Sequence, residues 1–200
     1  MPRSKVMPAV LVAFVTAVTV THWNSENAPA QLGLGVGGRT PGLSGFQSSS
    51  LIVVPMKDDH ASTWLAFSIH SGTWARHTFP CASMVQPRMG AQVCSFSIKG
   101  KQVQELVAVD RNGNWRTHSL VQPTDSPCIA TVSASIACYS IDGRTYAFSA
   151  VTGTWDSIPA QGPAAVSANF ATVQDETTIA AFSAETGRWS VASLAAREQP

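Results

Sequence analysis

Four tryptophans recur with the same neighbours along this 200-residue chain: Trp74, Trp115, Trp155 and Trp189, each two positions after a glycine (Gly72, Gly113, Gly153 and Gly187). They close the segments WLAFSIHSGTW, ELVAVDRNGNW, TYAFSAVTGTW and TIAAFSAETGRW, and successive tryptophans lie 41, 40 and 34 residues apart. A period near 40 built from strand and turn signals restricts the fold to propeller blades or another all-β repeat.

The units can be laid over one another. One strand leads to a polar tip in SLIVVPMKDD, QVCSFSIKGK, SIACYSIDGR and NFATVQDE, and a second returns from it in TWLAFSI, QELVAVD, TYAFSA and TIAAFSA. A tight turn (HSG, RNG, VTG or ETG) follows, and the next strand opens on the tryptophan. A weaker strand upstream, around 82–85, 129–133 and 164–168, brings each unit to four strands; in the first unit residues near 46–50 are the candidate. Short runs of Val, Ile, Phe and Trp punctuated by Gly, Asp, Asn and Pro carry this pattern. The glycine has a physical reason, because a short hairpin loop needs a residue at positive φ and glycine has no Cβ to clash there. The tryptophan then packs across the hairpin on Phe67, Val109, Phe148 or Phe182, so these rings are expected as packing pillars rather than sugar-stacking platforms.

The segments Tyr146-Ala147-Phe148-Ser149 with Thr152-Gly153-x-Trp155, and Ala181-Phe182-Ser183 with Thr186-Gly187-x-Trp189, resemble Kelch-type β-propeller repeats. The resemblance covers roughly residues 47–194 and implies an all-β fold of four tandem four-stranded repeats, at about 47–80, 81–121, 122–160 and 161–195, within a region 47–197. Kelch units usually carry a diglycine at the tip, whereas the tips here read KDD, KGK, DGR and QDE. Propellers have 4–8 blades, so four units form either a small closed ring or an open fan. An open fan leaves unsatisfied edges and invites self-association.

The N-terminus bears on location. Arg3 and Lys5 precede an apolar run, Val6 to Val20, and then Ala28-Pro29-Ala30. A basic start, an apolar run and an A-x-A step are the parts of a secretory signal peptide, expected over residues 1–30. A membrane anchor is the competing reading, but it needs about 20 apolar residues. Residues 31–46 are glycine-rich and read as a linker. Export to a periplasmic, cell-surface or extracellular location follows. Charged residues are only 12% and the formal net charge is +1, with no basic patch, which argues against nucleic acid or an anionic membrane as partner.

Cys81, Cys94, Cys128 and Cys138 fall as two pairs. In an exported chain an even count favours disulfides, and the expected pairing is Cys81–Cys94 and Cys128–Cys138. Zinc lacks its C-x-x-C spacing; buried free thiols remain the other alternative. Chemistry-bearing motifs are scarce. His77 and His118 both follow the repeat tryptophan by three residues and read as exposed outer-strand residues rather than a metal pair. No G-x-S-x-G, H-E-x-x-H or P-loop occurs, and no cofactor is implied. Asp58, Asp59, Lys99, Lys101, Asp142, Arg144, Asp175 and Glu176 occupy the unit tips, on the same side as the proline-bearing connections between units. Loops on a rigid scaffold carry function, so this face is the candidate binding surface. The expected function is that of an exported, non-enzymatic binding or scaffolding module recognising a protein or glycan. The alternative is a propeller-type enzyme, a lyase or oxidase, whose site is assembled from scattered loop residues.

Overall fold

Valine, isoleucine and aromatic runs broken by turn residues produce sixteen strands in four sheets, in a computed structural model that describes residues 45–56, 62–80, 83–160 and 162–194. All of these fall in the second of the chain's two units, Gln31–Pro200. The signal-like segment, nearly all of the glycine-rich linker, Asp58, Asp59 and Cys81 lie outside the described residues.

Sheet 1 contains β1 (Phe46–Gln47), β2 (Leu51–Pro55), β3 (Ser62–Ser68) and β4 (Trp74–Phe79). Sheet 2 contains β5 (Met84–Met89), β6 (Cys94–Lys99), β7 (Val103–Val109) and β8 (Trp115–Thr124). Sheet 3 is built from β9 (Thr131–Val132), β10 (Ile136–Ile141), β11 (Arg144–Ser149) and β12 (Thr154–Pro159). Sheet 4 is built from β13 (Ala165–Val166), β14 (Phe170–Gln174), β15 (Thr178–Ser183) and β16 (Arg188–Ser193). Each is an antiparallel meander whose strands pair in chain order. Four such sheets, packed one on the next, make the chain all-β with propeller-type blades. Phe46–Gln47 supplies the first strand of sheet 1, so the end of the glycine-rich stretch belongs to the fold and not to a linker.

The meander gives the array two unlike ends. The β1–β2 and β3–β4 turns, with their counterparts in the other sheets, form a turn end. The β2–β3 tips and the connections from one sheet to the next form a loop end. At the turn end Gly72, Gly113, Gly153 and Gly187 hold φ of 66°, 84°, 69° and 64°, the left-handed conformation the hairpin requires. Each tryptophan sits opposite its partner across the hairpin. Ring centroids are 5.2 Å apart for Phe67–Trp74, 4.9 Å for Phe148–Trp155 and 5.4 Å for Phe182–Trp189, and Val109 pairs with Trp115.

The tryptophans also join sheets. The Trp115 indole of sheet 2 stacks on His77 of sheet 1 at 5.0 Å and 21°, and Trp155 of sheet 3 stacks on His118 of sheet 2 at 5.7 Å and 27°. In sheet 4 the Trp189 backbone N–H donates to Asp156 Oδ2 of sheet 3. Trp115, Trp155 and Trp189 therefore each meet the preceding sheet, and His77 and His118, three places after a repeat tryptophan, pack forward on the following one. This corrects the expectation of exposed histidines: His77 and His118 are half-buried junction residues, and desolvation holds both pKa values below the ordinary imidazole value. The acidic neighbours Glu105 and Asp156 oppose that shift in turn.

The core lies between the sheets. Trp64 meets Phe96 edge-on at 5.4 Å, and Phe79 lies 5.0 Å from Phe96, across the junction of sheets 1 and 2. Tyr139 of sheet 3 donates its hydroxyl to the Phe96 carbonyl at 2.8 Å, and also bonds Ser95 Oγ, so the buried phenol is satisfied.

The disulfide expectation is corrected. Cys94, Cys128 and Cys138 are free and buried. Strand alternation explains why the Cys128–Cys138 bridge is absent. Cys138 faces sheet 4 among Ala171 and Phe182, whereas Cys128 lies on the other side of sheet 3, in the cluster of Phe96 and Tyr139. Burial pushes the Cys128 thiol up to about 11 and Cys138 up to about 12, and raises Cys94 further. These thiols stay protonated and are poor nucleophiles.

Candidate functional site

At the loop end the sheets differ in how tightly their tips close. In sheet 3, β10 and β11 pair continuously from Ile136↔Ser149 to Ile141↔Arg144. Asp142 and Gly143, at φ of 47° and 74°, make the two-residue turn between them. Two successive positive φ values are the signature of a type I′ hairpin. Sheet 2 does not close in this way. Its β6 and β7 pair only at Cys94↔Val109 and Ser95↔Ala108, next to the turn end. Farther along, Ile98 exchanges both backbone hydrogen bonds with Cys128, from the connection between sheets 2 and 3, each at 2.9 Å. Ser97 Oγ accepts the Ala130 N–H as well. The incoming chain thus takes the hydrogen-bonding groups that a continuous β6–β7 ladder would use.

That splaying opens a cleft of about 460 Å³ between sheets 1 and 2. Its apolar floor comes from Phe79, Ile98 and Val103, and its rim carries Lys101, Gln102 and Glu105. Gln102 holds the rim in a left-handed conformation (φ 54°), and its N–H is fixed by Asp125 Oδ1 at 2.7 Å. A non-glycine residue at positive φ is uncommon and costs strain, so a specific bond such as this one is what keeps it there. A much smaller hollow, about 30 Å³, lies at the equivalent place between sheets 3 and 4, next to Pro159, Asp175 and Thr178.

The tip residues named from the sequence are distributed rather than convergent. Lys101 lines the cleft, and Asp175 lines the small hollow two junctions away. Lys99 is exposed at the end of β6. Asp142 sits in the sheet 3 turn, and the Arg144 guanidinium donates to Ser157 Oγ at 3.2 Å. Asp175 is occupied locally. It accepts the Thr177 and Thr178 N–H groups and both threonine hydroxyls, and these bonds hold its carboxyl below the usual range. Glu176 is exposed beside it.

Reading the sequence missed Gln102, Gln104 and Glu105, which line the cleft. Their signal was present as a polar interruption, Gln104-Glu105, in an otherwise apolar strand. Asp110 was missed too. It is a buried carboxylate at the turn end that accepts from the Asn112 and Asn114 N–H groups and pairs with Arg116 at 3.2 Å. Among the described residues no group of three or more His, Cys, Asp and Glu side chains is placed to hold a metal ion.

No protein-family model matches the chain, and no curated protein matches it. The crystal structure of Kluyvelomyces marxianus Hsv2 is similar at 10% identity and a TM-score of 0.35, over 72% of this chain and 44% of that one. The chain thus spans less than half the length of that protein, and the fold rests on the sheet topology above.

Proposed function

We propose that the chain is an exported, non-enzymatic binding module of degenerate Kelch-like repeats, with the loop end as its recognition face. The observation that carries this reading is the cleft between sheets 1 and 2. It combines an apolar floor with one amine, one carboxylate and several amide and hydroxyl groups around its rim. Concave sites with an apolar lining and a few placed polar groups are where ligands bind. A protein segment suits the cleft better than a glycan does. Its single aromatic, Phe79, is only 2% exposed and offers no open ring face for a sugar. Export rests on the basic start, the apolar run and the A-x-A step.

Backbone amide shifts recorded on titrating an extended peptide library into the protein test the face. Changes clustered on Ser83, Gln102, Gln104 and Glu105, and lost with Lys101→Glu combined with Glu105→Lys, support the reading. Changes confined to the turn end, or none at millimolar peptide, refute it. N-terminal sequencing of the exported chain tests localisation separately, with a start near Gln31 expected.

A further inference from the structure

The two outermost sheets carry the unmatched halves of a junction that the chain makes three times. At the turn end every junction uses the same two acceptors on the downstream sheet. The first is the carbonyl two places beyond the residue that faces the repeat tryptophan across the hairpin. Arg111 O accepts from Ser68 Oγ, Ala150 O from the Arg111 N–H, and Ala184 O from Ser149 Oγ. The second is the carbonyl in the middle of the first turn. Ala91 O accepts from Ser50 Oγ at 2.7 Å, Ala134 O from the Gln92 N–H at 2.7 Å, and Ala168 O from Ser135 Oγ at 2.8 Å.

Sheet 4 has the corresponding donors with no acceptor for them among the described residues. Ser183 Oγ accepts the Glu185 N–H, as Ser68 Oγ accepts that of His70 and Ser149 Oγ that of Val151. The hydroxyl proton of Ser183 has no acceptor among the described residues. Asn169 stands where Ser50, Gln92 and Ser135 stand, with its amide donors exposed. Sheet 1 has the matching acceptors. These are the carbonyls of Ile69 and Ser49, neither of which receives a hydrogen bond from a described residue. Trp74 completes the set. Its two sheet-stacked counterparts rest on a histidine of the preceding sheet, whereas Trp74 is 54% exposed. Phe170 is 52% exposed on the outer face of sheet 4.

We propose that sheet 4 of one copy docks on sheet 1 of a second copy, repeating the internal junction between chains. Ser183 and Asn169 of one chain donate to Ile69 O and Ser49 O of the next, and Trp74 packs on the β15–β16 surface around Ile179 and Ala192. The contact is head-to-tail, so it closes only if rotation brings the last free face back to the first. Two copies joined at both junctions form an eight-blade ring, within the range that propellers adopt.

Light scattering on the full chain decides this. The expected mass is twice that of one chain. Trp74→Glu blocks one face and Phe170→Glu the other, and each alone should halve the mass. An equimolar mixture of the two should recover pairs, because each variant retains the face the other has lost. Val121→Glu places the same charge on an exposed β8 residue away from both faces and should leave the mass unchanged. Trp74→Ser, which adds no charge, is the second tail-face variant if Trp74→Glu melts early. A wild-type chain at the mass of one copy overturns the proposal, whether its own sheet 4 or its leading segment covers sheet 1. So does a pair that survives Phe170→Glu, which indicates like faces meeting, or a mixture that stays single, which shows that the two retained faces do not fit each other.

Discussion

Sheets 2 and 3 are buried on both faces, whereas sheets 1 and 4 are buried on one. In β10, Ile136, Ala137, Cys138 and Tyr139 are all buried, and in β11 so are Thr145 to Ser149. Successive residues of a strand point to opposite faces, so neighbouring sheets cover both sides. In sheet 4 the pattern alternates. Ala171, Val173, Ala180 and Phe182 are buried, while Phe170, Gln174 and Ala181 are exposed, and most of β16 is open. Sheet 1 likewise buries Leu51, Val53 and Ala66 while Ile52, Leu65 and Phe67 are half-exposed. The difference teaches that a repeat position does not have one fixed worth. The same tryptophan, glycine or serine holds two sheets together at a junction within the chain and has no such partner within the chain at an end.

Paired substitutions can break or sharpen that contrast. The largest gap is expected for tryptophan. Trp115→Ala removes a ring stacked on both His77 and Phe96 and should cost about 3 kcal/mol, the scale for emptying a large aromatic site. Trp74→Ala, measured in protein dilute enough to keep copies apart, loses only its pairing with Phe67 and should cost about 1 kcal/mol or less. Chemical denaturation of each variant measures the difference, and equal losses would dissolve the distinction between inner and end sheets.

Glycine comes next. Gly72 and Gly187 have nearly the same φ, so alanine carries the same backbone strain at either, roughly 1–2 kcal/mol. A Cβ at Gly72 meets nothing, whereas one at Gly187 collides with the hydroxyls of Thr152 and Thr154 from sheet 3. Gly187→Ala should therefore melt at a lower temperature than Gly72→Ala; coincident melts would show that sheet 4 does not seat on sheet 3 as described. For serine, Ser149→Ala leaves the Ala184 carbonyl unmatched and should cost about 1–2 kcal/mol. Ser183→Ala, measured in dilute protein, should change little.

The smallest effect is electrostatic. The depressed histidine pKa values mean that the unfolded chain takes up protons more readily than the folded one. Stability should be level above the ordinary imidazole pKa of about 6.5 and fall as pH drops below it, until the folded histidines also protonate. Following the unfolding midpoint from pH 8 to 5, with His77→Gln and His118→Gln flattening the decline, checks both the sign and the origin.

What the sequence revealed was local. The Gly-x-Trp step marks a hairpin because positive φ and the ring across the turn are both settled within a dozen residues, and all four turns follow it. What it hid was which side of a sheet a residue faces and what arrives there. Ten residues of spacing between Cys128 and Cys138 suggested a bridge, but sheet 3 lies between their environments. His77 and His118 read as exposed because their stacking partners are some 40 residues away in the next unit. The cleft was illegible for the same reason. It exists because Cys128 takes hydrogen bonds from Ile98, a competition that no window around β6 discloses.

The cross-sheet serine bonds gather at the turn end, as the stitching of a book gathers along its spine. The opposite margin, where β6 and β7 part and the connections cross, has bonds of another kind, each tying a sheet to its own outgoing connection, as Ser97 holds Ala130 and Ser140 holds Gly162. Rewriting a connection there changes those local ties and leaves the sheet-to-sheet bonds of the turn end in place. The array can therefore change what it recognises along one margin while the bound edge keeps its pages in order.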